Sequence, residues 1–126
     1  LTSKRDWGYA PEFVEGMWRM LQQEKPEDYV LATGKAYSIK EFAEKAAQHL
    51  GYELVWRGKG VDEKGVDKKT GKIIVEIDTK YFRPTEVEML IGDASKAKRD
   101  LGWETKTNID ELVEIMMDYD KKELLS

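Results

Sequence analysis

The sequence predicts a small α+β domain, cap-like in outline, in which short strands are scattered among helices. Three observations carry that expectation. Apolar residues recur at helical spacing in separate stretches, two of them opened by side-chain capping signals. The apolar runs between those stretches are brief and bounded by Gly, Pro or Thr, as short strands are. Strand and helix signals do not alternate regularly, which excludes a complete doubly wound sheet. At 126 residues the chain has room for one core and not for two.

Residues 11–22 carry Phe13, Val14, Met17, Trp18 and Leu21 at one- and three-residue steps, the spacing of one helix face. Pro11 suits a first helical position, where its missing N–H costs nothing, and Lys25-Pro26 closes the element. Tyr29-Val30-Leu31-Ala32 is apolar and stopped by Thr33-Gly34, so a short strand is expected there. Ser38 and Glu41 form an S-x-x-E capping box ahead of Ile39, Phe42, Ala43, Ala46, Ala47 and Leu50, and Gly51 sits where a left-handed cap belongs. Residues 53–56 read as another strand. Residues 57–72 turn to Gly, Lys and Asp, and Gly58, Gly60, Gly65 and Gly71 interrupt any period. That composition predicts a mobile loop ending in a hairpin around Lys69-Thr70-Gly71. A strand follows through Ile73-Ile74-Val75 and Ile77. Asp93 is placed to cap a short helix that runs through Leu101 and closes at Gly102. Asn108 and Glu111 cap a last helix with Ile109, Leu112, Val113 and Met116 on one face. Trp18, Phe42 and Trp103 are expected in the core, Met116 and Met117 in a core or interface, and Trp7 and Tyr81 beside a site.

Composition excludes several functions. Apolar residues at 40% and aromatics at 10% exclude a disordered tail. No apolar run approaches the ~20 residues that span a bilayer, and no basic-then-apolar leader opens the chain, so neither membrane nor secretion is expected. A net charge of −4, from 21 basic and 25 acidic residues, argues against general binding of nucleic acid. Zero cysteines remove disulfides and thiolate metal sites, and fit a cytoplasmic protein. The chain opens at Leu1 rather than Met, which suggests a processed protein or a piece of a longer one.

A catalytic centre is not expected. Gly58-Lys59-Gly60 through Gly65 lacks both the G-x-G-x-x-G spacing and the strand–helix context that would hold a pyrophosphate. His49 lies on the polar side of its helix, away from other ligand types, and reads as a surface residue rather than a base or a metal ligand. Two nonperiodic segments differ from this background: Lys4-Arg5-Asp6-Trp7-Gly8-Tyr9 and Tyr81-Phe82-Arg83-Pro84-Thr85-Glu86-Val87. Each sets one arginine beside large flat side chains. A guanidinium is a planar fork suited to phosphate oxygens, and Glu86 is placed to accept from ribose hydroxyls. The plainer alternative pairs Arg5 with Asp6 and Arg83 with Glu86 as surface ion pairs.

The stretch from Arg5-Asp6-Trp7-Gly8-Tyr9-Ala10-Pro11-Glu12-Phe13 through Met17-Trp18 resembles the segment that opens the substrate-binding part of GDP-mannose 4,6-dehydratases. The likeness continues at residues 26–34, at Tyr37-Ser38-Ile39-Lys40-Glu41-Phe42 and at residues 81–93, then at Ser95-Lys96-Ala97 and Leu101-Gly102-Trp103. The R-P-x-E-V and S-K-A-x-x-x-L-G-W elements recur across extended short-chain dehydrogenase/reductases acting on nucleotide sugars. The W-G-Y-A-P-E-F and A-T-G-x-x-Y-S combination is similar to the GDP-mannose branch.

The resemblance implies a C-terminal substrate-binding domain, residues 1–126, that partners an NADP-binding Rossmann half. It implies a nucleotide-sugar clamp in which Arg5 approaches the diphosphate, Arg83 meets diphosphate and ribose, and Glu86 accepts from ribose hydroxyls. It also implies that the whole enzyme uses NADP to turn GDP-mannose into GDP-4-keto-6-deoxymannose. The residues four places after Tyr9, Tyr29, Tyr37, Tyr52, Tyr81 and Tyr119 are Phe13, Thr33, Glu41, Trp56, Thr85 and Glu123, so no Tyr-x-x-x-Lys pair exists here. No catalytic, cofactor or metal residue is therefore assigned, and the chain alone is expected to bind no NADP and to be inactive. Apolar surface facing the missing half is expected to make it a homo-oligomer. The competing readings are a freestanding nucleotide-sugar binding module, or part of an epimerase or another dehydratase.

Overall fold

The computed structural model describes residues 1–125 and shows a mixed α+β chain of four α-helices and two small sheets among those residues. Helices α1 (Ala10–Leu21), α2 (Ile39–His49), α3 (Ser95–Leu101) and α4 (Ile109–Leu125) fall where the periodicity puts them. The start of α2 is fixed by its capping box. The Glu41 N–H donates to Ser38 Oγ at 3.0 Å, and the Ser38 N–H donates to the Glu41 carboxylate at 2.6 Å. That second bond, made to the ionised form, holds the Glu41 carboxyl below its usual pKa. Asn108 caps α4 by accepting from the Glu111 N–H at 2.8 Å. Asp93 accepts from the Ser95 N–H at 2.9 Å, although the cap position itself is Ala94. Gly102 closes α3 at φ +63°, in the left-handed region a side chain would resist.

Strands β1 (Lys4–Arg5) and β2 (Tyr37–Ser38) pair antiparallel, Lys4 opposite Ser38 and Arg5 opposite Tyr37. A second sheet, β3 (Leu54–Arg57), β4 (Lys64–Asp67) and β5 (Ile73–Glu76), is an antiparallel meander with β4 in the middle and an irregularity at Gly65/Val66. The loop expected over residues 57–72 is thereby corrected. A short 3-10 turn at Gly60–Asp62 leads into β4, whose Gly65, Val66 and Asp67 are buried. Its glycine and charges hid it from a hydrophobicity reading, but Gly65 suits a close approach: a Cβ there would stand 3.1 Å from the Trp56 ring. The hairpin around Lys69-Thr70-Gly71 is present. Buried Asp67 organises it by accepting from the Thr70 hydroxyl at 2.7 Å and the Thr70 N–H at 3.2 Å.

A strand over residues 29–32 does not form. No described strand lies beside that segment to complete a ladder, and its Tyr29 and Leu31 pack on the Trp103 cluster instead. The core is in two parts. Ala97, Leu101 and Trp103 gather Phe13, Met20, Tyr29 and Leu31, while Ile109, Leu112 and Val113 gather Trp7, Tyr37, Phe42 and Met117. Trp18, expected in the core, is 60% exposed, and Val14, Met17 and Leu21 are exposed with it. Helix α1 buries a different face, centred on Gly16, where Leu31 and Trp103 come too close for a Cβ at 2.8 and 2.9 Å.

Two outcomes follow from these contacts. A Cβ on Gly92 would stand 2.3 Å from the Ala32 Cβ, so Gly92→Ala is expected to lower unfolding free energy by about 1–3 kcal/mol. Urea denaturation measures the loss, and adding Ala32→Gly should restore most of it. The Asp67 carboxyl is held below its usual pKa, chiefly by the Thr70 hydroxyl. Its stabilising effect is therefore fully present above the unfolded value, ~4, and is lost as pH falls through the lower folded value. Urea midpoints measured through the acid range should fall less steeply in Asp67→Asn than in the parent chain.

Candidate functional site

The site is assembled by the start of the chain. The Lys4 N–H donates to the Glu88 carbonyl at 2.7 Å, and the Leu90 N–H donates to the Lys4 carbonyl at 2.9 Å. These bonds, with the parallel bridge between Lys4 and Met89, lay residues 86–90 along β1. Immediately after it, the half-buried Asp6 carboxylate accepts four bonds from two other segments. Thr33 gives its N–H at 3.0 Å and its hydroxyl, Gly34 its N–H at 3.0 Å, and Gly92 its N–H at 3.3 Å. With Asp6 turned to that knot, Arg5 is directed at residues 86–87.

Arg5 uses three of its five N–H donors within the chain. Nη1 donates to the carbonyls of Lys4 and Val87, each at 2.8 Å, and Nη2 donates to Glu86 Oε1 at 2.7 Å. Arg83 Nη1 approaches Glu86 Oε2 at 3.7 Å. The three residues singled out in the sequence, Arg5, Arg83 and Glu86, thus meet around one carboxylate although the chain separates Arg5 from Glu86 by 81 positions. Of the plainer pairings, Arg83 with Glu86 forms, while Arg5 passes Asp6 by in favour of Glu86. Tyr81 is exposed, and the Lys80 ammonium lies over its ring at 5.3 Å as a cation–π contact. Trp7 is held elsewhere: it stacks on Phe42 at 4.6 Å and donates Nε1–H to the Tyr37 carbonyl at 3.3 Å.

His49 pairs with Asp118 at 2.7 Å and Lys45 with Asp110 at 2.6 Å, so these polar groups tie α2 to α4. Among the described residues, no three His, Asp or Glu side chains gather as a metal site. No described helix is long and apolar enough to cross a membrane.

Sequence reasoning missed two carboxylates that the architecture rests on. Asp6 is one. The other is Glu12, which accepts from the Lys106 N–H at 3.0 Å, the Thr107 N–H at 2.9 Å and the Thr107 hydroxyl. Their donors are mostly backbone N–H groups, which no residue pattern advertises.

The fold has counterparts among solved enzymes. Over 98% of its length the chain superposes, at TM-score 0.70 and 21% identity, on 31% of UDP-glucose 4-epimerase from Bifidobacterium longum, solved with NAD+ and UDP. It matches 34% of RMD from Pseudomonas aeruginosa, solved with NADPH, at TM-score 0.70 and 15% identity. The architecture is thus one carried by larger enzymes solved with dinucleotides. Within that class, the family model described as GDP-mannose 4,6 dehydratase matches residues 1–116, and the chain belongs to that family. It is 57% identical over 120 residues to the GDP-mannose 4,6 dehydratase of Drosophila melanogaster, covering 95% of this chain and 30% of the relative. It is 51% identical to the Homo sapiens protein of that name, covering 95% and 32%, and 48% identical to that of Vibrio cholerae, covering 97% and 36%. The chain therefore spans about a third of the length of these relatives.

Removing the Asp6 carboxylate leaves two segments without an acceptor for their N–H groups. Asp6→Ala is expected to destabilise the chain by about 2–4 kcal/mol, with amide-exchange protection falling first at Gly34 and Gly92. Protection that fell equally everywhere would show that Asp6 has no local hold.

Proposed function

We propose that this chain is the nucleotide-sugar-binding part of a GDP-mannose 4,6-dehydratase, an enzyme that converts GDP-mannose to GDP-4-keto-6-deoxymannose. The single observation that carries the reading is the meeting of Arg5, Arg83 and Glu86 in a chain whose family is that of the dehydratases. Two guanidiniums beside one carboxylate suit a nucleoside diphosphate: the forks take phosphate oxygens in pairs, and the carboxylate accepts from ribose hydroxyls. In that clamp Arg5 is the fixed member and Arg83, with its side chain 78% exposed, the one free to close on the ligand.

NADP does not fit the residues of this chain, which supply neither a Gly-rich turn opening a helix nor a tyrosine four residues before a lysine. The redox chemistry that the reaction needs belongs with NADP in a Rossmann half outside these residues, and this domain, cap-like against that half, binds and orients the sugar nucleotide. Support for that division comes from the chain's share of its relatives' length and from the apolar stripe of Val14, Met17, Trp18 and Leu21, which the chain itself leaves uncovered. The protein is expected in the cytoplasm, as a homo-oligomer.

Arg83→Ala is the clean test, because Arg83 makes no other contact the fold depends on. In the full-length enzyme, loss of one charge-assisted bond of roughly 1.5–3 kcal/mol should weaken GDP-mannose binding about ten- to a hundredfold. Arg83→Lys should recover only part, since an ammonium cannot form the paired fork. Arg5→Ala should weaken binding as much and also loosen residues 86–87, which its guanidinium holds. Calorimetry with GDP-mannose, UDP-glucose and the variants reads these effects, and wild-type affinity in both alanine variants would remove the clamp. The 126-residue chain supplied with NADP should show no turnover of GDP-mannose above a protein-free control, and activity should return when the remaining two-thirds is co-expressed.

A further inference from the structure

A cavity of about 700 Å³ opens between residues 32–35, 91–95 and 103–109, and Arg5, Arg83 and Glu86 are not among the residues lining it. Its size falls within the range of small-molecule sites, roughly 300–1,000 Å³.

Most of the walls are spoken for. The N–H groups of Thr33, Gly34 and Gly92 point to Asp6, those of Lys106 and Thr107 to Glu12, and that of Ser95 to Asp93. The two indoles are engaged too: Trp7 Nε1–H donates to the Tyr37 carbonyl, and Trp103 Nε1–H donates to the Glu12 carbonyl at 2.7 Å. These bonds engage both indole donors, and because Trp103 and Ile109 are buried at 2% and 5% exposure, the half-buried Trp7 ring is the aromatic surface that the cavity offers. The groups left over are cationic. Lys35 and Lys106 line the cavity, and among the described residues no acid lies within ion-pair reach of either ammonium, while Lys98 is joined to Glu104 at 3.2 Å. Asp6 and Glu12 behind the walls are turned to backbone donors and Glu104 to Lys98, so the Lys35 and Lys106 ammoniums are the charges that the lining presents to a ligand beside Asp93.

We propose that this cavity is a second binding site, for a planar aromatic anion whose ring lies against the Trp7 wall and whose charge is met by Lys35 and Lys106. The apolar wall supplies contact area that favours a flat ring, and the unpartnered ammoniums give the ligand its sign. A neutral ring gains only the first term, and an inorganic anion gains only the second, weakened by solvent. The proposal is independent of the nucleotide-sugar clamp.

The test is a titration of the isotopically labelled 126-residue chain with 1-naphthyl phosphate, followed by amide and indole NMR signals. Expected are saturable shifts at Trp7 and across residues 104–107, with Trp18, on the exposed face of α1, unmoved. Lys35→Gln combined with Lys106→Gln should raise the dissociation constant at least about fivefold, as exposed charge pairs allow, with signals outside the cavity unchanged. Arg83→Ala should leave the constant as it was. Inorganic phosphate and 1-naphthalenemethanol should each bind at least about tenfold more weakly than the naphthyl phosphate. Shifts that fail to saturate, that centre on Trp18, that persist at full affinity in the double lysine variant, or that either control ligand reproduces would overturn the proposal.

Discussion

The Asp6 carboxylate is the constraint on which the rest depends. It stands between a guanidinium that must point one way and backbone donors that come from the other, and it resolves the choice by taking the donors. Thr33, Gly34 and Gly92 would otherwise place polar groups in a half-buried seam without acceptors, an expensive arrangement. Because Asp6 satisfies them, residues 33–34 and 92 are drawn to the first strand, and Gly92 can then approach Ala32 more closely than any side chain would allow. Arg5, released from its neighbour, completes its own set of acceptors at residues 86–87. One carboxylate therefore fixes both the seam and the direction of the arginine beside it.

Glu12 does the same service in the first turn of α1. Its carboxylate ties residues 106–107 to the helix, while its main-chain carbonyl takes the Trp103 indole, the most fully buried large side chain described. Arg19, two turns on, donates to the carbonyls of Leu101 and Gly102 at 3.1 and 2.8 Å and so finishes α3 from outside. The helix thus holds the following core cluster through these polar groups, through Phe13 and Met20, and through the space made by Gly16. Its remaining large apolar residues, Val14, Met17, Trp18 and Leu21, lie exposed.

That division explains what could be read from the sequence and what could not. The caps at Ser38–Glu41 and Asn108 were legible because local side-chain bonds obey fixed spacings. The turn at residues 69–71 and the closing glycines were legible for the same reason. Helix α1 was found, but its buried face was misjudged: periodicity reports that a stripe wants cover, not that this chain provides it. Strand β4 was missed because its partners on both sides, rather than its own residues, make it a strand. Residues 29–32 have the composition of a strand without a described neighbour to pair with, and the same non-local logic decides against them. Arg5, Arg83 and Glu86 were legible as residue types, and their meeting rests on β1, on the Lys4–Met89 bridge and on Asp6, none of which the spacing reveals.

The two arginines of that group differ in a way that composition could not suggest. Arg5 is largely enclosed, 23% exposed at the side chain, and two of its three bonds go to backbone carbonyls. Arg83 reaches Glu86 only at 3.7 Å and otherwise stands in water. A guanidinium fixed in advance loses little conformational freedom when an anion arrives, whereas a free one must be ordered at that moment. Glu86 offsets the repulsion between the two cations while no anion is present, and its second oxygen keeps Arg83 near. In the proposed clamp, Arg5 therefore sets where a diphosphate sits, and Arg83 contributes affinity only by an amount reduced by its own ordering.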